Sequence, residues 1–394
     1  MRYPNTPEWL ESAPSNAVTL YRNLEEFAIK DICRRLKLSG EVTSTALEQI
    51  RILKNLGHDQ SQIDKYIQKT LNLSKTELEE LYERAVERNQ NYYEEAIKKA
   101  DLTNAPISSL DRQEEVEAIM AQTQSEFVNL TQSIGFAIRN ERGALEFTPV
   151  SRVYQKILDV AELKVWSGSA DYNTAIKEAV KQLCDVGMQT VEYASGVKAS
   201  ADVVARRAIM TGINQIADKY DQRLIEELAT DLVEVSAHMG ARDKGTGFEN
   251  HKSWQGKVYS LSGQSDNYPG FVETCGYGDV RGIRGANCRH RYFAFVEGVS
   301  ERVYTDEQLK NIDPEPFEYQ GKTYTAYEAT QQQRRLESSI RKYKRLVAGY
   351  KASGLEDDLQ DASIRLKRLT QEYKNFSDAA GLRMQPERAR IYKD

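Results

Sequence analysis

Cysteine and histidine are scarce in this chain of 394 residues, with four of each. Cys33, Cys184, Cys275 and Cys288 are too few and too scattered for a disulfide scaffold, so a hydrophobic core must hold the fold. No run of about 18 apolar residues occurs, which excludes a bilayer-spanning helix. The opening stretch, MRYPNTPEWLESAPSNAV, lacks the apolar centre of a secretory signal, and synthesis in a reducing cytoplasm is expected. An overall basic excess is missing too. With a net charge of −5, contact with nucleic acid would need a local basic surface. Walker-type phosphate loops, His-Glu-x-x-His and calcium loops are absent. GYGDVRG at 276–282 is glycine-rich but does not join a hydrophobic strand to a dinucleotide fingerprint.

What the chain does have, first, is helical rhythm. In TSTALEQIRILKNLGHD, Leu47, Ile50, Leu53 and Leu56 repeat at helical spacing and stop at Gly57. SKTELEELYERAVERN places Ser74 and Glu77 at capping-box spacing, which predicts a helix start there. With the preceding residues, LNLSKTELEELYERA has a helix–turn–helix look. RNERGALEFTPV at 139–150 breaks the rhythm and reads as a linker or domain boundary. Val153, Ile157, Val160 and Leu163, then Ile176, Val180 and Leu183 before Gly187, predict two more amphipathic helices. Cys33 and Cys184 fall on such faces and read as small buried hydrophobes.

From residue 231 the period shortens. DLVEVS, KVYSLSG and RYFAFVEG read as strands, and FEYQGKTYT as a hairpin turning at Gln320-Gly321. The tail is helical again, with stripes on either side of Gly354 that suggest an antiparallel hairpin or a coiled coil. The expected class is mainly α with a small α+β domain: a helical region over 1–140, a helical middle over 141–230, an α+β module over 231–325 and a hairpin tail over 326–394. The first tail arm is basic. Arg334, Arg335, Arg341, Lys342, Lys344 and Arg345 surround Glu337, which fits either a solvated face or contact with phosphate or an acidic partner. Its long stripes make 330–378 the expected partner-binding element.

Three of the four histidines, His238, His251 and His290, lie in the module, with Cys288 two residues from His290. A zinc site would draw on His251, Cys288 and His290, but one residue between the last two strains chelation, and no second close pair exists. A nucleophilic cysteine would need an oriented base, and no third group is apparent. The favoured reading is structural, with no metal, cofactor or catalytic residue assigned. His238, Arg242 and His251 would form a buried polar network beside Trp254.

EVSAHMGAR at 234–242, HKSWQGKVYSLSG at 251–263, YPGFVETCGYGD at 268–279 and GANCRHRYFAFVEGVSE at 285–301 together resemble the phage minor capsid protein 2 family. That family is related to Mu-type head-morphogenesis proteins. ARRAIMTGINQ at 205–215 and GKTYTAYEATQQQRRLESSIRKYKR at 321–345 resemble it in the same order. The residues carrying the likeness are His238, Gly240, Ala241, Arg242, His251, Trp254, Gln255, Gly256, Asn287, Cys288, Arg289 and His290. DKGTGFEN at 243–250 departs from the pattern, as an inserted loop would. The resemblance implies a virion structural component that associates with the portal or head interior. Its implied partners are the portal protein, the major capsid protein or a scaffold, and packaged DNA. A sequence-independent DNA-binding protein of the virion, or an ejected nuclease- or toxin-like effector, are the alternatives.

Overall fold

The computed structural model describes residues 6–37, 61–101, 109–140, 142–191, 198–285 and 288–389. The helix expected over Leu47–Leu56, and Asn287, lie outside the described residues. The chain opens with α1 (Pro7–Ser12), α2 (Ser15–Lys37), α3 (Ser61–Lys99) and α4 (Ser109–Gln132). A hairpin of β1 (Ile134–Arg139) and β2 (Leu145–Pro149) follows, then α5 (Val150–Trp166) and α6 (Tyr172–Val186). Next come β3 (Met188–Val191), β4 (Lys198–Ser200) and α7 (Ala201–Glu227).

The fold is mainly α with small antiparallel sheets, as the sequence suggests. In the first body, α2, α3, α4 and α7 pack together, and α5 and α6 lie on β1. The first sheet runs β2-β1-β3-β4 and is antiparallel throughout. This corrects the reading of 139–150 as a linker. Asn140 turns the chain there, accepting the N–H groups of Arg142 and Ala144 on its side-chain oxygen, each at 3.0 Å. Ser74 is also corrected. It does not start a helix but sits buried in the middle of α3, its hydroxyl donating to Leu71 O (2.9 Å) and lying 3.3 Å from the Tyr21 hydroxyl. The helix–turn–helix look of 71–85 is thus one uninterrupted helix.

The second body is built on β5 (Leu232–Val235), α8 (His251–Trp254), β6 (Val258–Ser260), α9 (Phe271–Cys275) and β7 (Tyr292–Phe295). Its sheet runs β6-β5-β7, with Val233 opposite both Tyr259 and Ala294. Val233, Val235, Trp254, Tyr259, Phe271 and Tyr292 make its small core. Buried charge joins it to the first body. The Asp221 carboxylate of α7 accepts from Arg291 (2.7 Å) and also pairs with Arg284, while the Tyr292 hydroxyl donates to Asp218 at 2.7 Å. The Arg284 guanidinium lies 4.1 Å from the centre of the Tyr292 ring.

After α10 (Asp306–Lys310) and the β8 (Phe317–Tyr319)–β9 (Lys322–Tyr324) hairpin come α11 (Ala326–Ser353), α12 (Glu356–Ala379) and α13 (Pro386–Ala389). Thr325 and Glu328 form a capping box at the start of α11, and Gly354 ends it in the left-handed conformation (φ 75°). Gln333 bonds Ser377 (3.0 Å) and Glu337 accepts from Tyr373 (3.0 Å), a falling register that makes α11 and α12 antiparallel. The tail is therefore the expected hairpin, but its stripes are not left open for a partner. α11 packs on α2 and α6, and Leu346, Tyr350 and Ala362 belong to the main core. Cys33 and Cys184 are fully buried there.

Candidate functional site

The three module histidines come from three elements and meet at one point. His238 follows β5, His251 opens α8, and His290 lies two residues before β7 begins. The His238 and His290 rings stack with centroids 4.3 Å apart. The His251 ring stands edge-on to His290 at 5.3 Å. Trp254 closes the back of the group, 4.6 Å from His251 and 4.8 Å from His290, and its indole N–H donates to Phe248 O at 2.9 Å. Phe248 belongs to the segment 243–250, so that stretch of chain supports the site.

Hydrogen bonding fixes which ring nitrogens carry protons. His251 Nε2 lies 2.8 Å from the Arg281 carbonyl, which can only accept, so Nε2 bears the hydrogen. The Gln255 side-chain oxygen accepts the His238 backbone N–H at 3.1 Å, which sets the orientation of its amide. His290 Nε2 is 3.1 Å from that same oxygen and must also donate. Both Nδ1 atoms are left with free lone pairs, and both face Cys288 Sγ, His290 at 3.5 Å and His251 at 3.8 Å.

Burial pushes the His251 imidazole down to about 4, and the nearby Arg242 pushes the same way. Burial also takes His238 to about 4, helped by Arg289, and His290 well below the ordinary histidine range. The imidazoles are neutral. Burial raises the Cys288 thiol, so nothing here holds a ready thiolate nucleophile.

Of the residues expected in a polar network, the fold brings His238 and His251 to this point together with His290. Arg242 reaches the carbonyl that His251 uses, Arg281 O, at 3.3 Å. Gly256 has a packing role. With φ at +70° and a Cβ that would fall 2.2 Å from Leu309, only glycine fits there. Cys275 belongs to the module core.

The basic arm divides. Arg345 is a buried structural cation that donates to Cys184 O (3.0 Å) and Asp185 O (3.4 Å) at the end of α6. Lys342 pairs with Asp185 (2.8 Å), and Arg341 donates to Arg388 O (2.8 Å). Arg334 and Arg335 are exposed, and Lys344 is half-buried. Arg334 overlooks three adjoining cavities. One, of about 210 Å³, opens onto the histidines and Cys288. Another, of about 540 Å³, runs past Trp9, His238 and Arg383. A third, of about 220 Å³, is walled by Arg22, Arg206, Arg289, Arg341 and Arg388 against Glu11, Asp202 and Glu337. Burial, then the neighbouring Arg388, lowers Arg206 to about 10. Arg334, exposed along much of its side chain, is lowered where its charge lies over the cavities, first by desolvation and then by Arg388 and Arg289. The cavity walls thus carry crowded positive charge.

The sequence reading missed Glu11, Arg206, Arg388 and the Asp218/Asp221 pair. Only Asp221 left a trace. It sits at the spacing of Ile213, Ala217 and Leu224 on the buried face of α7, a carboxylate where an apolar residue is expected.

Residues 6–378 match the model of a family described as phage minor capsid protein 2. A curated relative, named "Structural protein" and from Lactococcus phage LL-H, is 25% identical over 262 residues. That stretch covers 65% of this chain and 64% of the relative. No solved structure matches.

Proposed function

The chain belongs to the phage minor capsid protein 2 family, matched over residues 6–378, and on that footing we propose that it is a minor structural component of the phage head, seated at the portal or the head interior during assembly. What carries the reading is the span of the match, which takes in the helical body, the histidine module and most of the tail hairpin together. The role is to present a shaped, rigid surface, and no bond-making step is assigned to it. Its crowded arginine walls, with Arg334 and Arg335 exposed beside them, suit an acidic group on a neighbouring virion protein. Packaged DNA is the weaker partner, because Lys342, Arg341 and Arg345 are already engaged within the chain and cavities of this size cannot admit a duplex.

The test is mass spectrometry of purified particles and of empty precursor heads, combined with cross-linking in the intact particle. The chain is expected in both, cross-linked to the portal protein. Its absence from particles and precursors alike would end this reading.

A further inference from the structure

The point where His251, Cys288 and His290 meet has a feature that a purely structural network does not need. Two buried imidazoles are each locked as the Nε2–H tautomer, one by a backbone carbonyl and one by a glutamine oxygen whose own orientation is fixed. Their two Nδ1 lone pairs converge on one sulfur. A thiol has a single proton and can satisfy only one of them. The other acceptor is left facing sulfur with nothing between. Outer N–H groups held by carbonyl oxygens while the inner nitrogens point at a common centre is how proteins orient histidines toward a metal.

The distances suit the same occupant. Zinc–sulfur and zinc–nitrogen bonds of about 2.3 and 2.0–2.1 Å, at the tetrahedral angle, put sulfur and nitrogen roughly 3.6 Å apart. The two Sγ–Nδ1 separations here are 3.5 and 3.8 Å, and all three donor atoms lie within 4.8 Å of one another. The one-residue spacing between Cys288 and His290 is no obstacle, because Cys288 Sγ and His290 Nδ1 already face each other. The group also borders the cavity of about 210 Å³, which gives an ion a way in and leaves room for a water. His238 is not counted among the ligands: among the described residues it is His251, Cys288 and His290 whose donor atoms gather within 4.8 Å of one another.

We propose that His251 Nδ1, Cys288 Sγ and His290 Nδ1 bind Zn²⁺, with the fourth position turned to the cavity and taken by water. On binding, the Cys288 thiol gives its proton to solvent and the thiolate–zinc bond forms, with no change of oxidation state. Zinc is the divalent ion that a thiolate and two imidazoles suit best. The arginines around the cavity mouth weaken the affinity for a dication but do not block it, because the thiolate cancels one of its charges. This inference stands apart from the proposed role in the virion, and either can fail without the other.

The experiment uses the full chain, purified without a histidine tag, incubated with Zn²⁺ or Co²⁺ and dialysed. Stoichiometric zinc is expected by elemental analysis. The cobalt form is expected to show a thiolate-to-cobalt charge-transfer band and the intense visible bands of tetrahedral cobalt. Cys288→Ser should abolish the charge-transfer band, and Gln255→Leu, which frees the His290 ring, should weaken zinc binding about 10–100-fold. A wild-type chain that retains no zinc, or a cobalt form without the sulfur band, overturns the proposal. So does a folded Cys288→Ser chain with undiminished affinity. Because the cobalt spectrum is read on the wild-type protein, the result does not depend on the variants folding.

Discussion

Asp221 is a buried charge at which the two bodies meet. Its buried carboxylate receives Arg291 at 2.7 Å and pairs with Arg284, while Arg291 also touches Asn89 of α3 at 3.3 Å. Each ion alone would be expensive to bury, and the seam is tolerable only because the charges meet. Asp221→Ala removes the carboxylate that the two guanidiniums share and leaves Asp218 to hold Arg284. The expected loss is about 3–5 kcal/mol of unfolding free energy, read from urea denaturation. A midpoint shift worth under roughly 1 kcal/mol, the size of an exposed pair, would show the seam to be incidental. This is also where the sequence is least legible. The module histidines could be suspected from their crowding into 53 positions, and the structure brings them together. Asp221 and Arg291 are 70 positions apart, and no local pattern links them. Only the misplaced polarity on the apolar face of α7 hinted that a partner existed.

Among the elements, α11 shows how much periodicity conveys and where it stops. Its stripe and its Gly354 end are readable from the chain, and the structure has them, while the Thr325–Glu328 capping box at its start is a finding of the structure. What the stripe cannot tell is what covers it. A heptad face looks the same whether a partner protein or the rest of its own chain lies against it. Here α2 and α6 do so, closely enough that a Cβ on Gly349 would sit 2.8 Å from Cys184 Sγ and 3.2 Å from Val180. That Cβ would also sit 3.4 Å from Cys33 Sγ of α2, so Gly349 is the contact point of three helices. Gly349→Val is expected to cost about 1–3 kcal/mol through overpacking, although valine is the better helix former. Equal or greater thermal stability of that variant would mean α11 stands off from the body. The β1–β2 hairpin and Ser74 were misread for a related reason. Turn-forming and capping residues mark local options, and the surrounding core decides which of them is used.

At the scale of the whole molecule, the first and last described helices are tied together. Glu11 pairs with Arg388, and Arg22 donates to Glu387 O at 2.8 Å while pairing with Asp202 at 3.0 Å. One apolar cluster runs from Leu10 to Ala362. A tail that merely carried a docking face would be dispensable for folding, and a chain ending at Thr325 would melt cooperatively. The packing requires the opposite. Removing 326–394 uncovers α2 and α6 where Leu346 and Tyr350 were buried, with Val347 and Leu359 packed alongside. It also takes away the Arg345 side chain that satisfies the last carbonyls of α6 and the α11 residues that roof the histidine cavity. At about 1.5–3 kcal/mol for each large apolar side chain returned to water, the loss is on the order of 10 kcal/mol, as large as the whole stability of an ordinary domain. The truncated chain is expected to lose near-ultraviolet circular dichroism, bind a hydrophobic dye and unfold without a sharp transition. A cooperative transition, with a urea slope reduced only in proportion to the shorter length, would show the hairpin to be an appendage and return it to the role of a free docking arm.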